Sequence, residues 1–324
     1  MFKLIPYKQI FIKRKVSETI DWGVRLLGAP DIWKLCQGQG VKVAVLDTGT
    51  SPYHKDLKES FIFKKNKIIG INFSSKNRNN INDHQSHGTH VTGIIAANKN
   101  GLGIIGVAPK TKIIPVKVMN DYGEGDISWI VNGIYWVIEN IKKYDIKVIS
   151  MSLGSPEPFL SLKQALIEAK KNGVITVCAV GNQGNWSELG YPARYAEEKL
   201  CIAVGAIASN KKITEFSTTG EGMKKMGVVA PGFEILSTIP ENRYASFSGT
   251  SMATPHIAGV LSLAIAKHQI YGGKTPLTNI DEAYEHLKRL TLDIGKKGAD
   301  RVYGLGLPIL KKEVFKSLRV STRL

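Results

Sequence analysis

The sequence predicts an α/β protein, a three-layer sandwich in which helices flank a mostly parallel central sheet. Three observations carry this prediction. Short runs are almost continuous in Val, Ile and Ala, amphipathic helical stretches lie between them, and the two alternate along the middle of the chain. A strand covered on both faces needs apolar side chains on both, so its run is unbroken rather than alternating. Strand–helix alternation implies right-handed crossovers and hence parallel pairing.

The elements follow in order. VKVAVLD (41–47) is a buried strand that ends on an acid, and Ser86-His87-Gly88-Thr89-His90 opens a helix. KIIPVKVM (112–119) is the next strand, and Ile127, Ile130, Val131, Ile134 and Ile138 then form one apolar stripe at helical spacing. KVISMSL (147–153) reads as a strand, and SLKQALIEAKKNG (161–173) as a helix closed by Lys-Lys-Asn-Gly. VITVCAVG (174–181) and LCIAVGAI (200–207) are further strands, and Ser251 opens an Ala-rich helix. No linker divides this centre. The expected organisation is one domain over 18–310, a short N-terminal extension over 1–17 and a basic tail over 311–324.

Composition narrows the function. The 324 residues are 43% hydrophobic and 22% charged, which supports a packed core and excludes intrinsic disorder. No run reaches the roughly 18 apolar residues of a membrane span, and the first residues lack a signal-peptide pattern. Three cysteines, Cys36, Cys178 and Cys201, are too few for a disulfide framework; Cys178 and Cys201 sit in apolar runs and read as buried thiols. A reducing cytoplasm fits these features. Lys and Arg number 44 against 27 Asp and Glu, a net charge of +17, which invites a nucleic-acid or membrane-surface partner. Residues 1–17, 55–80 and 308–324 carry +5, +5 and +4, so 14 of the 17 charges lie outside the predicted strands and helices.

Chemistry-bearing residues sit where an open α/β sheet places its sites, beyond the carboxyl ends of strands. Asp47 ends a strand, His87 opens a helix, and Ser251 opens another. A Ser hydroxyl is a poor nucleophile until an imidazole takes its proton, and a buried carboxylate fixes the tautomer of that imidazole. Asn182, past a strand end and between glycines, can aim an amide into the same cleft. With the Ser251 backbone N–H it makes a two-donor oxyanion hole. Each piece alone is a common structural feature, but together they are specific. His90 and His256 read as structural.

In these motifs, Asp47-Thr48-Gly49, His87-Gly88-Thr89-His90 and Gly249-Thr250-Ser251-Met252-Ala253, the sequence resembles the subtilisin-like serine proteases, from about Asp21 to about Leu307. The resemblance implies a subtilisin-like sandwich, with Asp47, His87 and Ser251 as the triad and Asn182 as oxyanion donor. It also implies a groove in which Ser152-Leu153-Gly154 and Gly123-Glu124-Gly125 pair with extended substrate, reading main chain and therefore many sequences. Ala179, Val180, Gly181 and Gly190 then line the pocket for the residue before the scissile bond, P1. They are small and uncharged, which suits a large apolar P1, and Gln183 replaces an acid common in the family. Met119 and Ile127 line an apolar pocket further along. A Ca2+ ion is implied on Asp56, on the carbonyls of Asn98, Leu102 and Ile104, and on the Asn100 side chain. At the family's second cation position the acids are replaced by Met-Lys-Lys-Met-Gly (223–227), and no second ion is expected.

The segment Lys3-Leu4-Ile5-Pro6-Tyr7 resembles the intracellular members of the family. It implies a latent enzyme in which Leu4, Ile5, Pro6 and Tyr7 lie across the active site until the extension is removed. An apolar segment can add to the groove as a strand, while Pro fixes φ and removes an N–H. Expected partners are protein and peptide substrates and the chain's own extension, with a homodimer as a possibility carried by the relatives. No specific nucleic acid or membrane partner is expected. The alternatives are a catalytically silent protein of the same fold and a basic nucleic-acid-binding module.

Overall fold

A computed structural model of the chain describes residues 2–4, 8–13, 17–184, 188–271 and 277–313. In chain order its main strands are β1 (Phe2–Leu4), β2 (Lys8–Lys13), β3 (Lys42–Asp47), β4 (Ile71–Asn72), β5 (Lys112–Lys117), β6 (Glu124–Gly125), β7 (Ile146–Met151), β8 (Leu153–Gly154), β9 (Ile175–Ala179), β10 (Ile202–Ile207), β11 (Gly227–Pro231), β12 (Ile235–Ile239) and β13 (Arg243–Ser248). The main helices are α1 (His87–Ala96), α2 (Ile127–Tyr144), α3 (Leu160–Lys171), α4 (Glu221–Met226), α5 (Thr250–Tyr271) and α6 (Ile280–Leu290).

Seven strands form the central sheet in the order β11-β10-β9-β7-β3-β5-β4, all parallel. Their side chains are buried along nearly the whole run, as two-sided coverage requires. Helices α2 and α3 pack together on the sheet, as do α1 and α5, giving the expected sandwich. α2 begins at Asp126, whose carboxylate accepts the Ser128 N–H, and ends at Asp145 in the left-handed region. Chain order places β5 and β7 on opposite sides of β3. The chain therefore reverses direction at β3, and a crevice opens beyond the end of that strand, where Asp47 sits.

Two strand predictions need correction. The run 112–119 ends at Lys117, so Met119 lies in the loop beyond the sheet. The run 147–153 splits at Ser152: β7 ends at Met151, and Leu153–Gly154 joins a different sheet. Ser152 leaves the ladder because its hydroxyl and its carbonyl both turn to Ser251. The stretch near 60–82 is folded. It contains a small hairpin (Phe63–Lys64 with Lys67–Ile68) and then β4 at the sheet edge.

Two smaller sheets involve the N-terminal residues. β1 lies between β6 and β8, antiparallel to both. β2 pairs antiparallel with β13, outside the β12–β13 pair. No described helix is long and apolar enough to cross a membrane.

Candidate active site

Asp47 and His87 are fully buried, and His87 Nδ1 lies 2.8 and 3.0 Å from the two carboxylate oxygens of Asp47. With Nδ1–H donating to the carboxylate, Nε2 carries the lone pair and is the basic nitrogen. Glycines permit this approach. Gly49 has φ +106°, and a Cβ on Gly88 would fall 2.1 Å from the Gly49 carbonyl oxygen. The Asp-Thr-Gly and His-Gly motifs thus let α1 start against the end of β3.

Asp83, which sequence reasoning missed, sets the position of α1. One of its oxygens accepts the Thr48 hydroxyl at 2.9 Å and the Gln85 and Ser86 N–H groups. The other accepts the Thr89 N–H and hydroxyl. Lys117, paired in register with Asp47, is buried and was also missed. Its ammonium donates to the Thr48 carbonyl at 2.5 Å, to the Asn82 carbonyl at 3.1 Å and to Asp121 at 2.7 Å. An acid shortly before a helix was a readable signal for Asp83. A lysine inside an apolar run was not one for Lys117.

Ser251 is held by a backbone defect. Pro255 lies inside α5 and has no N–H, so the Ser251 carbonyl four residues earlier loses its helical donor. The Ser152 hydroxyl replaces that donor at 2.9 Å, and Ser251 Oγ lies 3.4 Å from the Ser152 carbonyl oxygen. Because β7 and β3 are neighbours in register, Ser152 follows Met151 alongside the end of β3, and α5 packs on α1. The amide of Asn182 is oriented by Thr250, whose N–H and hydroxyl both reach its Oδ1 at 2.9 Å, which leaves Nδ2 as the donor end.

His90 and His256 are structural. His90 stacks on Phe247 at 4.2 Å and contacts the Ile235 and Ala245 carbonyls, and burial lowers its pKa to about 3. His256 is lowered to about 4 by burial, and its Nδ1 meets the Met252 carbonyl.

Residues 38–306 match the sequence profile of the Subtilase family. The chain belongs to that family. It is 42% identical over 311 residues to an intracellular serine protease of Paenibacillus polymyxa, covering 94% of this chain and 89% of that protein. It is 41% identical over 308 residues to the major intracellular serine protease of Bacillus subtilis (strain 168), covering 91% and 90%. A subtilisin of Bacillus pumilus is 36% identical over 295 residues, covering 90% and 97%. The chain is thus a subtilisin-like serine endopeptidase.

In this subtilase both predicted groove strands carry a partner from the same chain. Lys3 pairs with Gly154 and with Glu124, Phe2 with Gly125 and Leu4 with Leu153. The Leu4 N–H donates to the Gly123 carbonyl at 2.9 Å, and a Cβ on Gly123 would lie 2.9 Å from the Leu4 side chain. Phe2 is fully buried, 5.5 Å from the ring of Phe159, which sequence reasoning missed because an aromatic residue at a helix start reads as core. Met119 is buried and Ile127 half-buried at the same end of the groove. Ile5, Pro6 and Tyr7 lie outside the described residues.

Ala179 ends β9, and Gly181 has φ +113° with its carbonyl accepting the Thr218 N–H. Gly190 N–H donates to the Val180 carbonyl at 3.3 Å, closing the strand end against the following loop. Gln183 is exposed, and its side-chain oxygen lies 3.3 Å from the Thr218 hydroxyl.

At the loop over 98–104, Asp56 Oδ2 accepts the Ile104 N–H and the Tyr244 hydroxyl, both at 2.9 Å. Burial raises the Asp56 pKa, and Glu18 raises it further. Glu18 was not foreseen; its carboxylate accepts the Gly101 N–H at 2.7 Å. The Asn98 side-chain oxygen is taken by the Glu59 N–H, so only its backbone carbonyl is left for a cation. Asn100 turns Nδ2 toward Asp56 Oδ1, at 3.5 Å, and Leu102 donates its N–H to the Asn100 oxygen. Among the described residues no cluster of three or more His, Cys, Asp or Glu could hold a metal ion, so a cation here would depend on backbone and amide oxygens.

Proposed function

We propose that Asp47, His87 and Ser251 act as the catalytic triad of a broad-specificity endopeptidase that is latent while its N-terminal segment occupies the groove. Ser251 Oγ attacks the scissile carbonyl as His87 Nε2 takes its proton, and Asp47 stabilises the imidazolium. The resulting oxyanion is received by Asn182 Nδ2 and the Ser251 N–H. The tetrahedral intermediate collapses as the His87 imidazolium gives its proton to the leaving amine and the C–N bond breaks, and the acyl-enzyme is then hydrolysed by water activated at the same imidazole. The small residues Ala179, Gly181 and Gly190 accept a large apolar side chain at P1.

The observation that carries latency is the register of β1. A substrate strand would need the N–H and C=O groups of Gly123–Gly125 and Leu153–Gly154, and Phe2–Leu4 already engage them. Leu4 pairs with Leu153, the neighbour of Ser152, and β2 pairs along β13, the strand that leads into Ser251. The test compares peptide hydrolysis by the full chain and by a chain beginning at Ser17. A large gain in kcat/KM on truncation is expected, and equal rates refute latency. Ser251→Ala should abolish hydrolysis in the truncated chain, and an unchanged rate refutes the triad.

The loop over 98–104 fits a Ca2+ ion. Asp56 lies there beside backbone carbonyls, and burial, with Glu18 adding to it, raises its pKa even though Ile104, Tyr244 and Asn100 donate hydrogen bonds to it. A bound ion would supply the missing positive charge and tie residue 18, just after the extension, to the body. The names of the two intracellular relatives support action in the cytoplasm.

A further inference from the structure

Thr48, fully buried, follows Asp47 at the end of β3 and grips both members of the Asp47–His87 pair. Its N–H donates to Asp47 Oδ1 at 2.7 Å, and its hydroxyl oxygen accepts the Gly88 N–H at 3.0 Å. The first contact holds the carboxylate, and the second holds the peptide that joins His87 to Gly88. A hydroxyl has one proton to give, and two carboxylates compete for that of Thr48. Asp83 Oδ1 lies 2.9 Å from it and Asp47 Oδ1 3.3 Å, so the proton goes to Asp83. Asp47 Oδ1 thereby keeps its acceptor capacity for His87 Nδ1, 2.8 Å away.

Asp83 is itself held by the start of α1. Its buried carboxylate accepts the Gln85 and Ser86 N–H groups at 3.0 and 2.9 Å, the Thr89 N–H at 2.8 Å and the Thr89 hydroxyl at 2.6 Å. The first N–H groups of a helix have no partner within it. In α1 the Gln85 side chain takes that of His87, Thr48 that of Gly88, and Asp83 that of Thr89. Ser86, at the N-cap position, makes no side-chain cap bond and stands at φ +86°. A non-glycine residue in that left-handed region persists only where its surroundings hold it there, and the Asp83 carboxylate holds the Ser86 N–H.

We propose that Thr48 and Asp83 are positioning residues for the Asp47–His87 pair. Asp83 sets the direction of the Thr48 hydroxyl, and Thr48 fixes the carboxylate and the His87–Gly88 peptide relative to each other. The proposal rests on the triad reading above. Both residues act through Asp47 and His87, so their loss falls on kcat, and a misplacement of about 1 Å costs on the order of 100-fold in rate.

The test uses the full chain and reads kcat and KM of its basal peptide hydrolysis separately. Thr48→Val keeps the shape and removes the hydroxyl. It should lower kcat about 10–100-fold with KM within about twofold. Thr48→Ser restores the hydroxyl and should recover kcat to within about threefold of the unsubstituted chain. Asp83→Asn, which replaces one acceptor oxygen by a donor, should fall with Thr48→Val, and it replaces that variant if Thr48→Val misfolds. Proton NMR of the full chain carrying Ser251→Ala supplies a second readout. The downfield resonance of the His87 Nδ1–H bridged to Asp47 should move upfield or vanish with Thr48→Val and stay in place with Thr48→Ser. A kcat within about twofold of the unsubstituted chain for Thr48→Val, a Thr48→Ser as slow as Thr48→Val, or an unmoved resonance in Thr48→Val overturns the positioning role. Failure of the triad reading is distinct, because Ser251→Ala alone would then leave the basal rate unchanged.

Discussion

The Ser251 carbonyl, freed by Pro255 and captured by Ser152, ties the proposed nucleophile to a neighbouring strand end through one hydroxyl. Ser152→Ala orphans a buried carbonyl, at a cost of about 1–3 kcal/mol. A melting temperature lower by several degrees is therefore expected by calorimetry, along with a smaller kcat. Lys117 acts on the other side. Its ammonium gathers the Thr48 and Asn82 carbonyls with Asp121 beside the strand end that carries Asp47, an arrangement suited to positioning the carboxylate through the backbone of Thr48. In the truncated chain Lys117→Met should lower kcat about 10–100-fold with KM within about twofold; an unchanged kcat would refute the positioning role. If Asn182 is the proposed oxyanion donor, Asn182→Ala should lose about 10^2–10^3 in kcat, the magnitude for removing one such donor in a subtilisin. Asp47, His87, Ser251 and Asn182 could be named as candidates from the sequence because the proposed chemistry restricts their types and places them at strand ends and helix starts. Asp83 and Lys117 were not, because a buried charge satisfied by backbone leaves no motif, only a polar letter in an apolar run.

At the scale of elements, the long buried strands and the amphipathic helices were readable, since their periodicity is local. Two-residue strands such as Leu153–Gly154 have no periodicity to read, and this one was expected through the family resemblance alone. They exist only because a distant segment pairs with them, and that partner is set by tertiary context. β1 is the clearest case, with three residues held by two edges and by the burial of Phe2 beside Phe159. Truncating a fully buried Phe to Ala costs about 3–5 kcal/mol. If that side chain anchors β1, Phe2→Ala should raise the open fraction of the full chain on the order of 100-fold or more. Basal peptide hydrolysis should then rise toward that of the chain beginning at Ser17. A basal rate equal to that of the unsubstituted full chain would show that β1 does not govern access.

For the molecule as a whole, burial sets the response to pH. His54, His256 and His286 are lowered to about 4 and His90 to about 3, in each case chiefly by desolvation of the charged form. The unfolded chain takes up these protons near pH 6.5 while the folded chain refuses them, so stability falls as pH drops from about 6.5 toward 4. Asp56 works in the opposite direction. Its carboxyl is raised by burial, so the stability it contributes is present at low pH and is lost as pH rises through its folded value. Near neutrality it is then a buried charge beside Glu18 that a cation would relieve. Thermal melts of the full chain carrying Ser251→Ala should therefore show two trends. Without added metal, the melting temperature should fall steadily below pH 6.5. The increment produced by Ca2+ should be large at pH 7.5 and shrink as the solution is acidified, because burial raises the Asp56 pKa and favours its protonated form, which binds a cation less well. Asp56→Asn should abolish that increment while leaving the acid-side slope, which belongs to the histidines, in place. An increment that survives Asp56→Asn would place any cation elsewhere.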